Sequence, residues 1–244
     1  MLYTLRDECA SDFRGTLAEV AAIGYEGVEL HDLHGQEPAE VRTWLDELGL
    51  VAVGRHASLQ ALEEELPALA DQLAVLGADR IVLSWVDPPE NTVVAQALAA
   101  RIGGIAEAAE SHGLRLGFHN HWFELDRLDN GVTFLDLLRA LPSDRLWLEL
   151  DLGWAWLAGA DPAALLLANP GSCPLVHVKD FRSREGREFC PVGEGAVPYG
   201  RILPVAAETG VEWLLVEQDD TYGDGLAAVE QSLAAVRGML SVAA

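Results

Sequence analysis

A pattern of hydrophobic and polar positions repeats along the chain: a stretch with helical spacing, then a glycine, then a short apolar run. It occurs five times, with its glycines at Gly24, Gly49, Gly77, Gly113 and Gly210. A glycine in this place is typical of a helix that ends in the left-handed conformation. The apolar runs are bounded by polar residues, as in parallel strands covered by helices. The pattern therefore predicts repeated helix–strand units.

Three further strands are predicted without a preceding glycine, at residues 2–5 (LYTL), 145–151 (RLWLELD) and 174–180 (PLVHVKD). Helices are predicted between the strands, including residues 131–141 and about 153–168. Eight β/α units in 244 residues, with no linker between them, predict a (β/α)8 TIM barrel forming a single domain over residues 1–244. A doubly wound open sheet is the alternative, but the sequence lacks the glycine-rich phosphate loop that often follows the first strand there.

The two faces of the predicted strands differ in chemistry. In the third strand, for example, Val51 and Val53 alternate with Ala52, Gly54 and His56. If the aliphatic face packs against outer helices, the other face points into the barrel and carries its polar residue last, at the end where barrel enzymes have their active sites. Because buried polar groups need partners, we expect one shared site. Its candidates are Glu29, His56, His119, His121, Asp151, His177, Lys179 and Glu217, with Glu124 just beyond the fifth strand.

The candidate residues suit a divalent metal ion. His119 and His121 lie two residues apart and would share one face of an extended strand. Imidazoles together with carboxylates favour one ion such as Mn, Co, Zn or Mg, with ligands from different strands. Two simpler explanations stay open at this point. Asp151 is also a good N-cap for the following helix, and His177 alone would be read as a core histidine.

Two other residues bear on substrate binding. Lys179 is the only lysine among 16 basic residues, and a compact ammonium at a strand end suits a tight pocket that holds a substrate oxygen. Trp154, three residues after Asp151, is a candidate for stacking on a sugar-like ring. A packing role is the alternative for Trp154, and for Lys179 the alternative is that the position of the one lysine has no functional meaning.

Composition excludes several classes of partner. The formal net charge of −23 disfavours nucleic acid and anionic membrane surfaces. Three cysteines without CxxC spacing indicate a reducing compartment, and the absence of a signal-like or membrane-spanning segment predicts a cytoplasmic protein. The sequence does not decide between a monomer and a homo-oligomer.

Five segments in this order, HNHWFEL, LELDLGWAWLAGADP, LVHVKDF, VGEGAVPYGRIL and GVEWLLVEQD, resemble the sugar phosphate isomerase/epimerase group of the xylose isomerase-like TIM-barrel superfamily. The resemblance implies one divalent metal, held by Glu, Asp, His and Glu at the ends of strands five to eight. Asp151, His177 and Glu217 take the last three places. At the first ligand position, on the fifth strand, this chain departs from the family, and either His119 or Glu124 is expected as the ligand there. A second departure is the very short first strand, for which an upstream start is one explanation.

The resemblance further implies a metal-dependent isomerase or epimerase that forms an enediolate from a keto or aldo sugar or a related polyol. The proton-transfer candidates are Glu217, Glu124 and His121, with Lys179 neutralising the oxyanion. Glu29, His56, Trp154 and Arg182 are expected to contact the substrate. A dehydratase acting on an inosose-like or keto-sugar substrate is the alternative. An AP-endonuclease-like hydrolase, which the acidic charge disfavours, and a non-catalytic sugar binder are weaker ones.

Overall fold

The computed structural model describes residues 1–142 and 145–243, the last two of these by their backbone alone. Its strands are β1 (Gly27–Leu30), β2 (Val51–Ala57), β3 (Arg80–Leu83), β4 (Arg115–His119), β5 (Leu146–Asp151), β6 (Leu175–Val178), β7 (Asp180–Phe181), β8 (Phe189–Cys190) and β9 (Trp213–Val216). Seven of them form one parallel sheet in the order β1-β2-β3-β4-β5-β6-β9, which curves into a nearly closed barrel. Strands β7 and β8 form a separate antiparallel hairpin. The predicted TIM-barrel fold is confirmed.

Helices connect the strands and cover the outside of the barrel. They are α1 (Arg6–Ser11), α2 (Phe13–Ile23), α3 (Pro38–Leu48), α4 (Leu59–Glu64), α5 (Leu66–Leu76), α6 (Thr92–Ser111), α7 (Phe134–Arg139), α8 (Leu152–Leu157), α9 (Pro162–Leu167), α10 (Tyr199–Glu208) and α11 (Gly225–Ala243). Gly24 and Gly49 end α2 and α3 with φ of 106° and 68°, as the glycine pattern predicts. Within the described residues, no helix has the length and apolar character needed to cross a bilayer.

The first predicted strand is wrong. Residues 2–5 form a 3₁₀ helix, and the amino group of Met1 donates to the carbonyl of Val216 in β9 at 2.8 Å. Leu2 and Leu5 are both buried in a cluster with α2 and α3. Residues three apart share a face in a 3₁₀ helix but point to opposite faces of a strand, so this burial favours the helix.

Two predicted helices are also shorter than expected. The segment from 153 to 168 forms α8 and α9, which are separated by Gly159 (φ 89°) and by Asp161, whose carboxylate caps α9. The segment from 131 to 141 is helical only as α7, whose capping box at Thr133 defines its start.

The barrel interior has an apolar layer beneath a polar one. The apolar layer contains Val53, Val82, Trp147, Leu175 and Leu215. On β4 to β6 and β9 the predicted alternation is confirmed, because the aliphatic residues of one face lie in the outer core and those of the other face point inward.

Val53, predicted to face outward, lies instead in the interior layer. A bulge explains the difference: Val28 pairs with Ala52, whereas Glu29 pairs with Gly54, so that Val53 is skipped. A bulge shifts the alternation by one residue, and His56 therefore still reaches the interior.

Candidate active site and metal centre

A cavity of about 650 Å³ opens at the carboxyl ends of the barrel strands. Its lining includes the polar residues His56, His119, His121, Glu217 and Asp219 and the aromatic residues Tyr3, Trp85, Trp122 and Trp154. Volumes of this order are typical of small-molecule sites. The polar layer of the barrel therefore opens onto a space large enough for a sugar-sized ligand.

Four buried side chains at this end of the barrel form what we call the upper group: His119, Asp151, His177 and Glu217. Each offers one ligand atom, and these atoms lie within 4.8 Å of one another. Asp151 and His177 are direct register partners on β5 and β6, which explains their proximity. The same four residues were predicted as ligands from the sequence. Glu124, the alternative to His119, is not part of the group.

Asp151 makes two kinds of contact with its two carboxylate oxygens. Oδ1 accepts a hydrogen bond from the backbone N–H of Trp154 at 2.7 Å and thereby caps α8, which was the simpler explanation for this residue. Oδ2 forms no hydrogen bond with any residue that the structure describes, although the Lys179 ammonium lies 3.1 Å away. Burial raises the pKa of Asp151. The cap thus leaves one buried oxygen available as a ligand.

Lys179 lies among three carboxylates. Its Nζ is 2.8 Å from Oε2 of Glu217, 3.0 Å from Asp219 and 3.1 Å from Asp151. Burial lowers the pKa of Lys179, but the three carboxylates outweigh burial and hold the pKa above its usual value. The side chain is 1% exposed, and the Tyr199 hydroxyl bonds both the N–H and the C=O of the same residue. These contacts compensate the charges of the ammonium and the carboxylates, and the contact of Lys179 with a substrate oxygen stays a prediction.

A second set of ligand atoms lies one layer deeper, and we call it the lower group: His56, His119, Glu149 and His177. Oε2 of Glu149 is 2.6 Å from Nε2 of His56 and 3.2 Å from Nε2 of His177. Burial raises the pKa of Glu149, but His177 and His56 outweigh it and hold the pKa well below its usual range. Glu29 adjoins this set and is fully buried, and burial and Glu149 raise its pKa.

Glu149 is not among the site residues that the sequence predicts. The signal was present, because Glu149 precedes Asp151 by two residues in LELD and so shares its face of the strand. Glu29 was predicted to contact the substrate, but the structure places its carboxylate 2.9 Å from Nε2 of His177 in the buried layer. His56, also predicted as a substrate contact, lines the cavity while bonding Glu149.

His121 and Glu124 lie beyond the end of β4 rather than on it. The His121 ring forms part of the cavity wall, with its centroid 4.5 Å from that of Trp85. The buried carboxylate of Glu124 accepts the backbone N–H of His121 at 2.8 Å, and its other oxygen lies 3.9 Å from Nδ1 of the same histidine. Glu124 therefore holds the segment that carries His121.

Trp154 and Arg182 were both predicted as substrate contacts, and the structure separates them. Trp154 lines the cavity, with its ring centroid 5.0 Å from that of Trp122. Arg182 lies on the β7–β8 hairpin instead, where its guanidinium pairs with Glu188 at 2.8 Å and is half exposed. The structure does not bring Arg182 to the other predicted site residues. Asp219, which sequence reasoning missed, lies two residues beyond Glu217, lines the cavity and holds Lys179.

Comparisons with known proteins agree with the fold. The model of the xylose isomerase-like TIM-barrel family matches residues 17–239. A sugar phosphate isomerase/epimerase from Parabacteroides distasonis superposes with a TM-score of 0.83 at 22% identity, covering 96% of this chain and 93% of that one. The structure named L-ribulose 3-epimerase superposes with a TM-score of 0.76 at 17% identity, covering 96% of this chain and 90% of that one. The probable 3-DHS dehydratase AsbF from Bacillus anthracis superposes with a TM-score of 0.76 at 17% identity, covering 93% of each chain. A comparison with curated proteins returned no match.

Proposed function

The chain belongs to the xylose isomerase-like TIM-barrel family, and from this premise we propose that it is a metal-dependent isomerase or epimerase of a keto or aldo sugar or a related polyol. One observation carries the proposal: the upper group brings two imidazoles and two carboxylates from four strands together beside the cavity. A carbonyl substrate in that cavity would meet the ligand group and the proton-transfer candidates at once.

The donor chemistry fits a divalent ion. Two nitrogens and two oxygens suit Mn, Co or Zn, and Mg accepts the carboxylates. Oδ2 of Asp151 supports the ion, because this buried oxygen accepts no hydrogen bond from the described residues and is compensated by the Lys179 ammonium at 3.1 Å. Such an ion, when bound, would polarise a carbonyl and its neighbouring hydroxyl and so acidify the carbon between them.

The chain's own residues would move the proton. His121 lines the cavity, so its ring is placed to take or return a proton. Glu124 orients it through the backbone contact. Glu217 also lines the cavity and is the second candidate. Returning the proton to the neighbouring carbon isomerises the substrate, and returning it to the opposite face epimerises it.

The substrate class is proposed from the cavity lining. Trp85, Trp122 and Trp154 present aromatic surfaces, and polar side chains line the same cavity. Aromatic walls together with polar groups suit a sugar-like molecule that stacks one face and coordinates through its oxygens. We propose the cytoplasm as its location, supported by three cysteines that are buried and unpaired.

The test begins with metal analysis of the purified protein, followed by NMR of deuterium exchange from D2O into a panel of ketoses, inososes and hydroxypyruvate. We expect about one divalent ion per chain and exchange at a carbon beside the carbonyl. Asp151→Asn and Glu217→Gln are expected to lose both, whereas Glu107→Gln on the exposed face of α6 keeps both. A wild-type protein without metal and without exchange contradicts the proposal.

A dehydratase is the second candidate. The same cavity holds two proton-transfer candidates, His121 and Glu217, and elimination of a β-hydroxyl needs one group to remove a proton and one to protonate the leaving oxygen. The NMR experiment separates the two functions, because elimination yields an unsaturated product whereas isomerisation and epimerisation keep every hydroxyl.

A further inference from the structure

Three histidine nitrogens converge on one carboxylate oxygen in the buried layer of the barrel. Oε2 of Glu149 lies 2.6 Å from Nε2 of His56, 3.2 Å from Nδ1 of His119 and 3.2 Å from Nε2 of His177. The contact to His56 is a hydrogen bond. Glu29 adds a second acceptor at 2.9 Å from Nε2 of His177. A fully buried carboxylate needs donors, and these imidazoles are the groups placed to supply them.

The ring of His177 has carboxylates on two sides. Its Nδ1 is 2.8 Å from Oε2 of Glu217 in the upper group, and its Nε2 faces Glu29 and Glu149. A neutral imidazole has one N–H and one lone pair. Carboxylates face both nitrogens of the metal-free ring, so each nitrogen can carry a proton. When a cation takes the place of the proton on Nδ1, Nε2 keeps its proton and donates it downward, and the lone pair of Nδ1 points into the upper group.

The same reasoning applies to His119. Its Nδ1 lies beside Glu149, so a proton held there leaves the lone pair on Nε2. The contact is a close approach rather than an aligned hydrogen bond, and we expect it to tighten when the ring binds a cation. His119 and Glu149 are register partners on β4 and β5, which keeps the two side chains together.

We propose that Glu149 is a positioning residue that fixes which ring nitrogen His119 and His177 each present to the upper group. Glu29 would likewise fix the protonated nitrogen of His177, but not that of His119. The inference rests on the proposed function, because it is the proposed metal ion that would use the two lone pairs. Carboxylates in this position orient metal-binding histidines and raise their basicity.

The competing assignment is a second ion in the lower group. It would need Nε2 of His177 as a ligand while Nδ1 of the same ring binds the first ion, which requires the ring to lose both protons. The two groups share two of their four members, so simultaneous occupation makes the same demand of His119. The short hydrogen bond from His56 instead fits Glu149 as an acceptor.

The test compares Glu149→Gln, Glu29→Gln and the surface control Glu107→Gln in the full chain. Affinity for Mn²⁺ is measured by titration calorimetry. The protonated nitrogen of each histidine ring is read from long-range ¹H–¹⁵N NMR spectra of the apo and Zn²⁺-loaded proteins, with single histidine substitutions for assignment. Circular dichroism shows that each variant is folded.

We expect Glu149→Gln to weaken Mn²⁺ binding by about 10- to 100-fold, Glu29→Gln to weaken it less, and Glu107→Gln to leave it unchanged. The Zn²⁺-loaded wild type should show His177 protonated at Nε2, and both the apo and the loaded wild type should show His119 protonated at Nδ1. If Glu149→Gln changes the tautomer of both rings and Glu29→Gln that of His177 alone, a positioning role is distinguished from a general structural one.

Three results would overturn the inference. The first is an affinity of Glu149→Gln for Mn²⁺ within about two-fold of wild type, because tenfold corresponds to about 1.4 kcal/mol and two-fold to much less. The second is a set of wild-type spectra with the opposite nitrogens protonated. The third is two ions per wild-type chain, of which Glu149→Gln loses one. Should Glu149→Gln fail to fold, the wild-type tautomers decide the question. A wild type that binds no divalent ion would refute the proposed function, whereas the tautomer of His119 in the apo protein separately tests the positioning by Glu149.

Discussion

Replacing Lys179 with methionine should destabilise the protein more than any ordinary surface change. Its ammonium is the shared partner of Asp151, Glu217 and Asp219, at 2.8 to 3.1 Å. Methionine matches the length of the side chain but removes the charge. The substitution therefore leaves the packing nearly unchanged and removes the compensation for three carboxylates.

The magnitude follows from burial. Removing one partner of a buried ion pair costs about 3–5 kcal/mol, because the remaining charge is left uncompensated. Lys179 and Asp151 are within 1% of full burial, so this range applies to them with little screening by solvent. Asp219 is 28% exposed and contributes less. At about 2–4 °C per kcal/mol for a chain of this size, the expected fall in Tm is about 6–20 °C.

The assay is urea unfolding followed by circular dichroism in the presence of EDTA, with Tm from calorimetry. Arg182→Met is the matched control, since it removes a cation whose pair with Glu188 is at least half exposed and is worth about 0–1 kcal/mol. The double variant Lys179→Met with Asp219→Asn should lose less stability than the sum of the single variants, because one uncompensated charge is removed. A Lys179→Met variant within about 1 kcal/mol of wild type would refute the reasoning.

Three further predictions rest on burial elsewhere. Gly153→Ala should lower the free energy of unfolding in urea by about 1–3 kcal/mol, because the added methyl would overlap the carbonyl of Lys179. Gly104→Ala in α6 is the control, since its methyl meets no atom within 4 Å and the change should be neutral or stabilising. Equal effects of the two substitutions would contradict the overlap. Burial and His34 lower the pKa of His31 to about 4, so the unfolded chain binds the extra proton below pH 6.5, and stability should fall from pH 6.5 to about 4 less steeply in His31→Asn than in wild type. Burial raises the pKa of Cys9 and Cys173 to about 12 and that of Cys190 to about 11, so the native protein at neutral pH should react with a thiol reagent only after unfolding. Rapid labelling of the native protein would contradict this, because it would show an accessible thiol.

The upper group could be predicted from alternation alone, for a simple reason. Side chains on strands repeat every two residues, and in a parallel barrel the carboxyl ends of all strands meet at one rim. Asp151, His177 and Glu217 come last on the inward faces of their strands, so placing the strands also placed the residues. His119 shares this face, but the predicted alternation ran on to His121 and did not show that β4 ends at His119.

Other features depended on the shape of the barrel. The bulge between β1 and β2 follows from the fit of neighbouring strands, so the sequence of β2 alone could not show that Val53 turns inward. Residues 2–5 form a short and mostly apolar run like a strand, but Leu2 and Leu5 are both buried beside α2 and α3 because the run is a helical turn. The partners of Glu149 come from three other strands, which is why its importance emerges only when their side chains meet.

The two interior layers divide stability and chemistry between them. The apolar layer around Val82 and Leu175 is closely packed, and the methyl group of an alanine at Gly117 would overlap the ring of Trp147. Burial of that layer contributes to the stability of the barrel. The upper residues can therefore keep several carboxylates close together, an arrangement that is unfavourable in itself and that Lys179 and the histidines only partly compensate. Because like charges held this closely favour a bound cation, the same residues that lower the stability of this end of the barrel are those that would give it affinity for a divalent ion.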